Sequence, residues 1–251
     1  MKIITFLFLI LYNIGMLKQK FMVTSNDIDG NLEIKISSLT RYMQQVATEN
    51  ACEIGFGHKQ LSKERHMWVI IRMQMYINRL PKLDEEFYIA THPGDSKAFL
   101  FFRYFEIYDA HNKLIACASS SWVVLNYDTR KVVIRPFDKP LPVETDKDDI
   151  PLPEKVLGDA PLLVDTRKAR YSEVDMNGHI NNTRYVDYIQ DLHDTKFFKE
   201  NRISKILINF EKEIMEGDTI NLFSNKESPE IIIGKVGDQV SFASKVEYVK
   251  R

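Results

Sequence analysis

The chain contains one segment twice, SLTRYMQQ at residues 38–45 and NNTRYVDY at residues 181–188, with Thr-Arg-Tyr shared at a spacing of 143 residues. Apolar residues at helical spacing surround or follow each copy, so each copy predicts an amphipathic helix. The predicted buried faces are Leu39, Met43, Val46, Ala47 and Ile54 in the first helix, and Tyr185, Tyr188, Ile189 and Leu192 in the second.

A series of strands is predicted after each helix. The segments are rich in β-branched and aromatic residues and are separated by turns, as in antiparallel hairpins. They are residues 68–78, 86–91, 98–108 and 114–127 in the first half, and 203–210, 219–223, 231–236 and 239–249 in the second. A first strand at 18–23 and a short strand at 32–36 precede the first helix. The pattern therefore predicts an α+β fold made of two similar units.

A proline-rich segment separates the two units. Residues 136–161 contain six of the nine prolines and the acidic run 144–149, so this segment cannot form a continuous helix or a central strand. We predict a linker there, long enough to cross one face of the molecule. The expected organisation is residues 1–15 as an extension, 16–135 as the first domain, 136–161 as the linker and 162–251 as the second domain.

The composition is that of a globular enzyme-sized protein. The 251 residues are 44% hydrophobic and carry a net charge of −1, which gives no bulk attraction to nucleic acid or to an anionic membrane. Cys52 and Cys117 are the only cysteines, without CxxC or Cys/His metal spacing, so we expect reduced thiols, a cytoplasmic protein, no metal and no cofactor.

The N-terminus is an exception to this composition. Residues 3–11 are almost wholly apolar, yet they are too short to span a bilayer and no small-residue cleavage site follows. Three interpretations are open: a secretory signal, a membrane-surface anchor, or an upstream translation start. We favour the last, with Met16 or Met22 as the real start, because the first predicted strand lies beyond this segment.

The loop before the second helix carries the chemistry. The run DMNGH at 175–179 places a carboxylate, a carboxamide and an imidazole directly before a helix start. A helix N-terminus can stabilise an oxyanion, so the run indicates water activation and charge stabilisation together. The alternative is a surface turn, because Asp-x-Asn-Gly forms turns readily and a single His is usually structural.

The chain resembles the plant and bacterial acyl-acyl carrier protein (ACP) thioesterases over essentially residues 17–250. The similarity rests on residues 39–49, 68–74 with 79–81, and 121–126 in the first half, and on 175–185 and 210–213 in the second. This resemblance implies two tandem hot-dog domains, each a long helix wrapped by an antiparallel sheet. It also implies hydrolysis of fatty acyl-ACP to free fatty acid, which ends chain elongation, with acyl-ACP as the partner; a homodimer is left open.

The resemblance also implies the site residues. Carried over by position, the catalytic group is Asp175, Asn177, His179 and Glu213, with Glu213 arriving from a strand of the same half. Ile214 stands where the family commonly has Cys, so a thiolate mechanism at that position is excluded and a water or carboxylate mechanism remains. The sequence does not distinguish His179 from Glu213 as the base.

Further expectations concern the substrate. The first half lacks an Asp-x-Asn-x-His counterpart at its helix, so its apolar interior is expected to hold the acyl chain. Arg72, Arg103 and Lys97 are expected at the mouth, where they would attract an acidic carrier protein. Two alternatives stay open: an acyl-CoA thioesterase of the same architecture, and a non-catalytic acyl or lipid binder.

Overall fold

The computed structural model describes residues 15–143 and 149–251. Most of the predicted N-terminal extension and part of the acidic run lie outside these residues. The first half contains β1 (Leu17–Met22), α1 (Ile36–Glu53), α2 (His58–Leu61), β2 (His66–Ile77), β3 (Glu86–Lys97), β4 (Leu100–Asp109) and β5 (Leu114–Asn126). The second contains β6 (Leu162–Lys168), α3 (Asn182–Gln190), α4 (Thr195–Glu200), β7 (Asn201–Phe210), β8 (Thr219–Ser224), β9 (Glu230–Val236) and β10 (Gln239–Lys250). Short 3₁₀ turns occupy Ser62–Glu64 and Tyr171–Glu173.

All ten strands form one antiparallel sheet in the order β1-β3-β4-β5-β2-β7-β10-β9-β8-β6. The two halves join where β2 pairs with β7, with Arg72 opposite Asn209 and Gln74 opposite Leu207. The predicted α+β class and strand series are confirmed, because each predicted strand of the two meanders has a counterpart in the sheet.

Both long helices pack on the same face of the sheet and contact one another. Alternate residues of a strand face opposite sides, so β7 directs Ile206 and Ile208 towards the helices. Met43 of α1 and Tyr185 of α3 belong to the same apolar cluster as these two isoleucines. The core is therefore continuous between the two halves.

The linker residues that the structure describes cross the other face of the sheet. Val156 packs on Leu207, and its N–H donates to Asn209 Oδ1 at 2.6 Å, while Asn209 Nδ2 donates to Glu154 O at 3.2 Å. Ser119 Oγ donates to Pro151 O at 2.5 Å. Polar groups on β5 and β7, the two strands that flank β2, thus satisfy the linker backbone, which prolines prevent from forming its own regular structure.

Two local predictions are wrong. Residues 32–36 do not form a strand: Glu33 and Ile34 make only single bridges, and Ile36 already begins α1. Ile34 and Ile36 are both buried, and this two-residue spacing suits a loop that enters the core as well as it suits a strand. The second helix ends at Gln190, before Leu192, although Leu192 still packs against the core.

No helix among the described residues has the length and apolarity needed to cross a membrane.

A buried carboxylate, Glu230, connects three segments of the second half through its side-chain contacts. Glu230 is 5% exposed and accepts from Ser224 Oγ at 2.6 Å and Tyr248 Oη at 3.1 Å, while His193 Nε2 lies 2.7 Å from it. Burial acts to raise the pKa of Glu230, but the hydrogen bonds from His193, Ser224 and Tyr248 outweigh it and hold that pKa below its ordinary value.

Replacing this carboxylate should weaken the fold in a pH-dependent way. We expect Glu230→Gln to lower the free energy of unfolding by about 1–3 kcal/mol at neutral pH, as for loss of a buried charged hydrogen bond. Because the folded pKa is depressed, the stabilisation is present above the unfolded value of about 4.3 and is lost as pH falls through the folded pKa. Urea unfolding of the wild type, Glu230→Gln and the exposed control Glu227→Gln between neutral and acidic pH checks this. A pH-independent difference would contradict it.

Candidate active site

The loop at 175–179 is a tight backbone turn that leads into α3. Asp175 N donates to His179 O at 2.8 Å, and Gly178 N donates to Asp175 O at 3.0 Å. Gly178 has a φ of +81°, a backbone conformation that residues with a side chain rarely adopt. Asp175 Oδ1 accepts from Asn177 N at 2.8 Å, so this carboxylate fixes the shape of the loop. The surface turn that the sequence analysis gave as the alternative, and the candidate active-site loop, are therefore the same loop.

Asn181 then begins the helix. Its side chain accepts from Thr183 N at 2.9 Å, as an N-cap residue does. The first copy of the repeat differs: α1 begins at Ile36, so Ser38 lies inside the helix, and Lys35 at the N-cap makes no side-chain cap. Only the second copy therefore combines a capped helix with acid-base side chains.

His179 and Glu213 lie side by side. His179 Nε2 is 3.1 Å from Glu213 Oε2, and the two side chains are 21% and 40% exposed. The residues that follow them hold this pair in place, because Ile180 N donates to Ile214 O at 2.8 Å and both isoleucines are buried. Ile214 therefore anchors the loop through its backbone and its apolar side chain.

Glu213 does not come from a strand, contrary to the expectation. Strand β7 ends at Phe210, and Glu213 lies in the loop beyond it. The pairing of β7 with β10 ends at Phe210, after which Glu211 N and Lys212 N both donate to Ser241 O and the chain turns away. This turn is what directs Glu213 towards His179.

Arg130 is a member of the site that the sequence did not indicate. It lies in the turn after β5, in the first half, and its Nη2 donates to Glu213 Oε1. Glu213 thus has an arginine on one carboxylate oxygen and a histidine on the other. Nothing in Thr129-Arg130-Lys131 distinguishes it from an ordinary polar turn, so only the packing of the two halves reveals this contact.

All four predicted site residues open on one cleft of about 620 Å³. Its other walls come mainly from the first half and are largely apolar. They include Ala47 and Ala51 of α1, with Ile70, Phe101 and Trp122 of the sheet. Asp175 and His179 are half-buried, whereas Asn177 is exposed at the mouth. The geometry is a polar group at one end of an apolar cleft.

Tyr185 lies beneath the polar end. It is buried and lines the cleft. Burial raises the pKa of Tyr185 well above its ordinary value, so the phenol is neutral at physiological pH.

Within the described residues, no group of three or more His, Cys, Asp or Glu side chains is arranged to hold a metal ion.

None of the three residues expected to attract a carrier protein is an exposed residue of the cleft. Arg72 faces away from the helices, since its neighbours Met73 and Met75 face them, and it does not line the cleft. Lys97 is exposed at the β3–β4 hairpin, and Arg103 is 8% exposed beneath α1. A bulge between Ile70 and Arg72 sets which residues of β2 face the cleft, and sequence alternation does not reveal a bulge. Lys212 and Arg130 line the cleft, as does the buried Arg103.

The contact between Arg130 and Glu213 should matter for turnover. We expect Arg130→Met to lower kcat about tenfold with little change in KM, because a charge-assisted hydrogen bond that orients Glu213 is lost. Arg130→Lys should restore part of the rate. Steady-state kinetics measure this, with Lys131→Met as the control that removes a neighbouring exposed charge. Equal rates for Arg130→Met and the control would show that the contact is dispensable.

Comparison with known proteins identifies both halves. Residues 15–136 match the family model of the acyl-ACP thioesterase N-terminal domain, and residues 163–247 match that of the C-terminal domain. Oleoyl-acyl carrier protein thioesterase 2 of Arabidopsis thaliana is 24% identical, over 87% of this chain and 65% of its own length. An acyl-[acyl-carrier-protein] hydrolase of Cuphea viscosissima is also 24% identical, over 78% of this chain and 52% of its own length. The chain thus spans about half to two thirds of these relatives.

Solved structures agree on the fold. An acyl-ACP thioesterase from Bacteroides thetaiotaomicron superimposes with a TM-score of 0.83 at 25% identity, covering 93% of this chain and 98% of that one. The 12:0-ACP thioesterase from Umbellularia californica superimposes with a TM-score of 0.78 at 19% identity, covering 94% and 98%. The expected tandem hot-dog fold is therefore confirmed. With both of its halves matched by the family models, the chain belongs to the acyl-ACP thioesterase family.

Proposed function

We propose that this protein hydrolyses the thioester of fatty acyl-ACP, releasing free fatty acid and ending chain elongation. The observation that carries the proposal is the convergence of Asp175, Asn177, His179 and Glu213 at one end of an apolar cleft. The apolar walls suit an acyl chain, and the polar end suits the thioester carbonyl and a water molecule.

The chemistry asks for an activated water and a stabilised oxyanion. The leaving thiol has an ordinary pKa of about 8.5, so expulsion of the carrier is the easier step. With Nε2 directed at Glu213, the Nδ1 atom of His179 is left to take a proton from water. Glu213 fixes the ring and stabilises the imidazolium that forms. Arg130 holds Glu213 in this orientation.

The remaining polar groups orient the reactants. Asn177, exposed at the mouth, would hydrogen bond the thioester carbonyl or the water, and Asp175 fixes the loop that carries both Asn177 and His179. The N-terminus of α3 adds a favourable potential for the oxyanion. Ile214 offers no nucleophile. Either water attacks the thioester directly and the carrier thiol leaves, or a carboxylate attacks first, expels the carrier thiol and forms an acyl anhydride that water then hydrolyses to free fatty acid and carboxylate.

Comparative hydrolysis tests the proposal. Purified protein would be given acyl-ACP and acyl-CoA of the same chain lengths, with released thiol and free fatty acid measured. We expect kcat/KM to be higher on the carrier-bound substrates. Equal or greater activity on acyl-CoA would favour a CoA thioesterase, and stoichiometric binding without hydrolysis would favour an acyl or lipid binder.

The proposal includes an organisation and a location. Residues 16–135 would bind the acyl chain and residues 162–251 would carry the chemistry, joined by the linker at 136–161. Cys52 and Cys117 are free thiols, which suits the cytoplasmic location that the sequence suggests. A homodimer stays a prediction, which sedimentation of the purified protein would test.

A further inference from the structure

Arg103 is a buried cation on the wall of the cleft. It is 8% exposed on β4 and lines the cleft beside Phe101 and Phe102. Its Nη1 donates to Asn50 Oδ1 at 2.7 Å and to Thr91 Oγ1 at 3.2 Å. Among residues 15–143 and 149–251, no carboxylate forms an ion pair with its guanidinium, and no group accepts a hydrogen bond from Nε or Nη2.

Such an arrangement is costly for a wall that contacts only hydrocarbon. Burial lowers the pKa of Arg103 to about 10, so the side chain is still charged at neutral pH. A buried charge requires compensation by hydrogen bonds or by an opposite charge. Asn50 and Thr91 are neutral and engage one nitrogen, so the remaining N–H groups need an acceptor oxygen in the cleft, from water or from a ligand. Methylene groups cannot supply one.

The position of Arg103 determines which part of a bound acyl chain lies beside its unpaired N–H groups. Across the sheet, Arg103 pairs with Ser120, Ser120 with Met73, and Met73 with Ile208. Three strand spacings, about 14 Å, therefore separate Arg103 from β7. His179 and Glu213 lie beyond the Phe210 end of β7, so Arg103 lies far from the thioester and beside the distal part of an acyl chain.

We propose that Arg103 is a recognition point for an oxygen substituent, a hydroxyl or a carboxylate, carried on the acyl chain away from its thioester. The inference rests on the proposed function, since it assumes that the cleft holds an acyl chain. A hydrogen bond to a charged group discriminates by about tenfold or more, and a site built to form such a bond rejects the analogue that lacks it.

Arg103 also has a structural role, which predicts a different effect of its replacement on activity. Its partner Asn50 donates to Gly15 O at 3.0 Å, so Arg103 links β4 to α1 and to the segment before β1. A residue that acts only as such a tie would lower activity on every substrate by the same factor when replaced. Dependence on the substituent separates the two roles.

The test uses carrier-bound acyl chains of one length. One chain is unsubstituted, a series carries a hydroxyl at successive positions, and one ends in a carboxylate. The wild type should favour a distal substituent by about tenfold or more in kcat/KM. Arg103→Met should bring the ratio of kcat/KM on the substituted chain to kcat/KM on the unsubstituted chain down to about one, whereas Arg103→Lys should keep part of the preference. The hydroxyl and carboxylate arms identify which oxygen is preferred.

Two results would overturn the inference: a wild type without any preference, or an equal loss on all substrates in Arg103→Met. Because Arg103→Met could fail to fold, the wild-type series decides by itself, supported by thermal shifts of the wild type with free fatty acid and with the matching hydroxy acid. Hydrolysis of unsubstituted acyl-ACP without a preference would remove only this inference. Absence of hydrolysis on every substrate would remove the proposed function, while the thermal shifts would still report on Arg103.

Discussion

Glu213→Gln should lower kcat by about 10² or more while leaving the fold and substrate binding intact, the loss expected when the carboxylate that orients a general base and stabilises its cation is removed. Glutamine is nearly isosteric and can still accept from Arg130. It cannot carry the negative charge that orients His179 and stabilises an imidazolium. The contact of 3.1 Å between His179 and Glu213 is the structural basis of this prediction.

Single-turnover and steady-state hydrolysis of an acyl-ACP substrate measure the effect, with thermal unfolding as the check on folding. Glu216→Gln is the matched control, because Glu216 is exposed in the same loop and does not line the cleft. Near-normal kcat in a well-folded Glu213→Gln protein would remove Glu213 from the catalytic group.

His179→Ala is expected to lose a similar factor, about 10², because it removes the group that takes the proton from water. The double variant of His179 and Glu213 should lose much less than the product of the two single losses, since residues that act as one unit are not additive. His111→Ala in the β4–β5 turn is the control for replacing an exposed histidine. Additive losses would mean that His179 and Glu213 act in separate steps, and our mechanism would be wrong.

Much of the fold could be predicted because its signals are local. Apolar residues three and four apart indicate a helix, and alternating apolar residues indicate a strand. The repeated helix and both strand series could therefore be predicted from the sequence. The failures at 32–36 and at Leu192 lie at the ends of elements. There, an apolar residue such as the buried Ile34 or the partly buried Leu192 packs on the core without regular structure.

The site divides in the same way. The loop at 175–179 and the cap at Asn181 depend on hydrogen bonds between residues a few positions apart, and their residue types indicate them. Glu213 was placed only by resemblance, and its strand assignment was wrong. Arg130 carries no local signal, because its partner is 83 residues away in the chain.

The sequence by itself determined two similar α+β units, a proline-rich connection and a capped helix preceded by acid-base side chains. Only the tertiary structure decided that β2 pairs with β7, that Arg130 reaches Glu213, and that Arg103 is buried in the cleft while Arg72 faces the opposite side. The physical reason is register. A one-residue shift or a bulge, such as the one between Ile70 and Arg72, reverses the face on which a strand residue lies, and long-range pairing alone sets it.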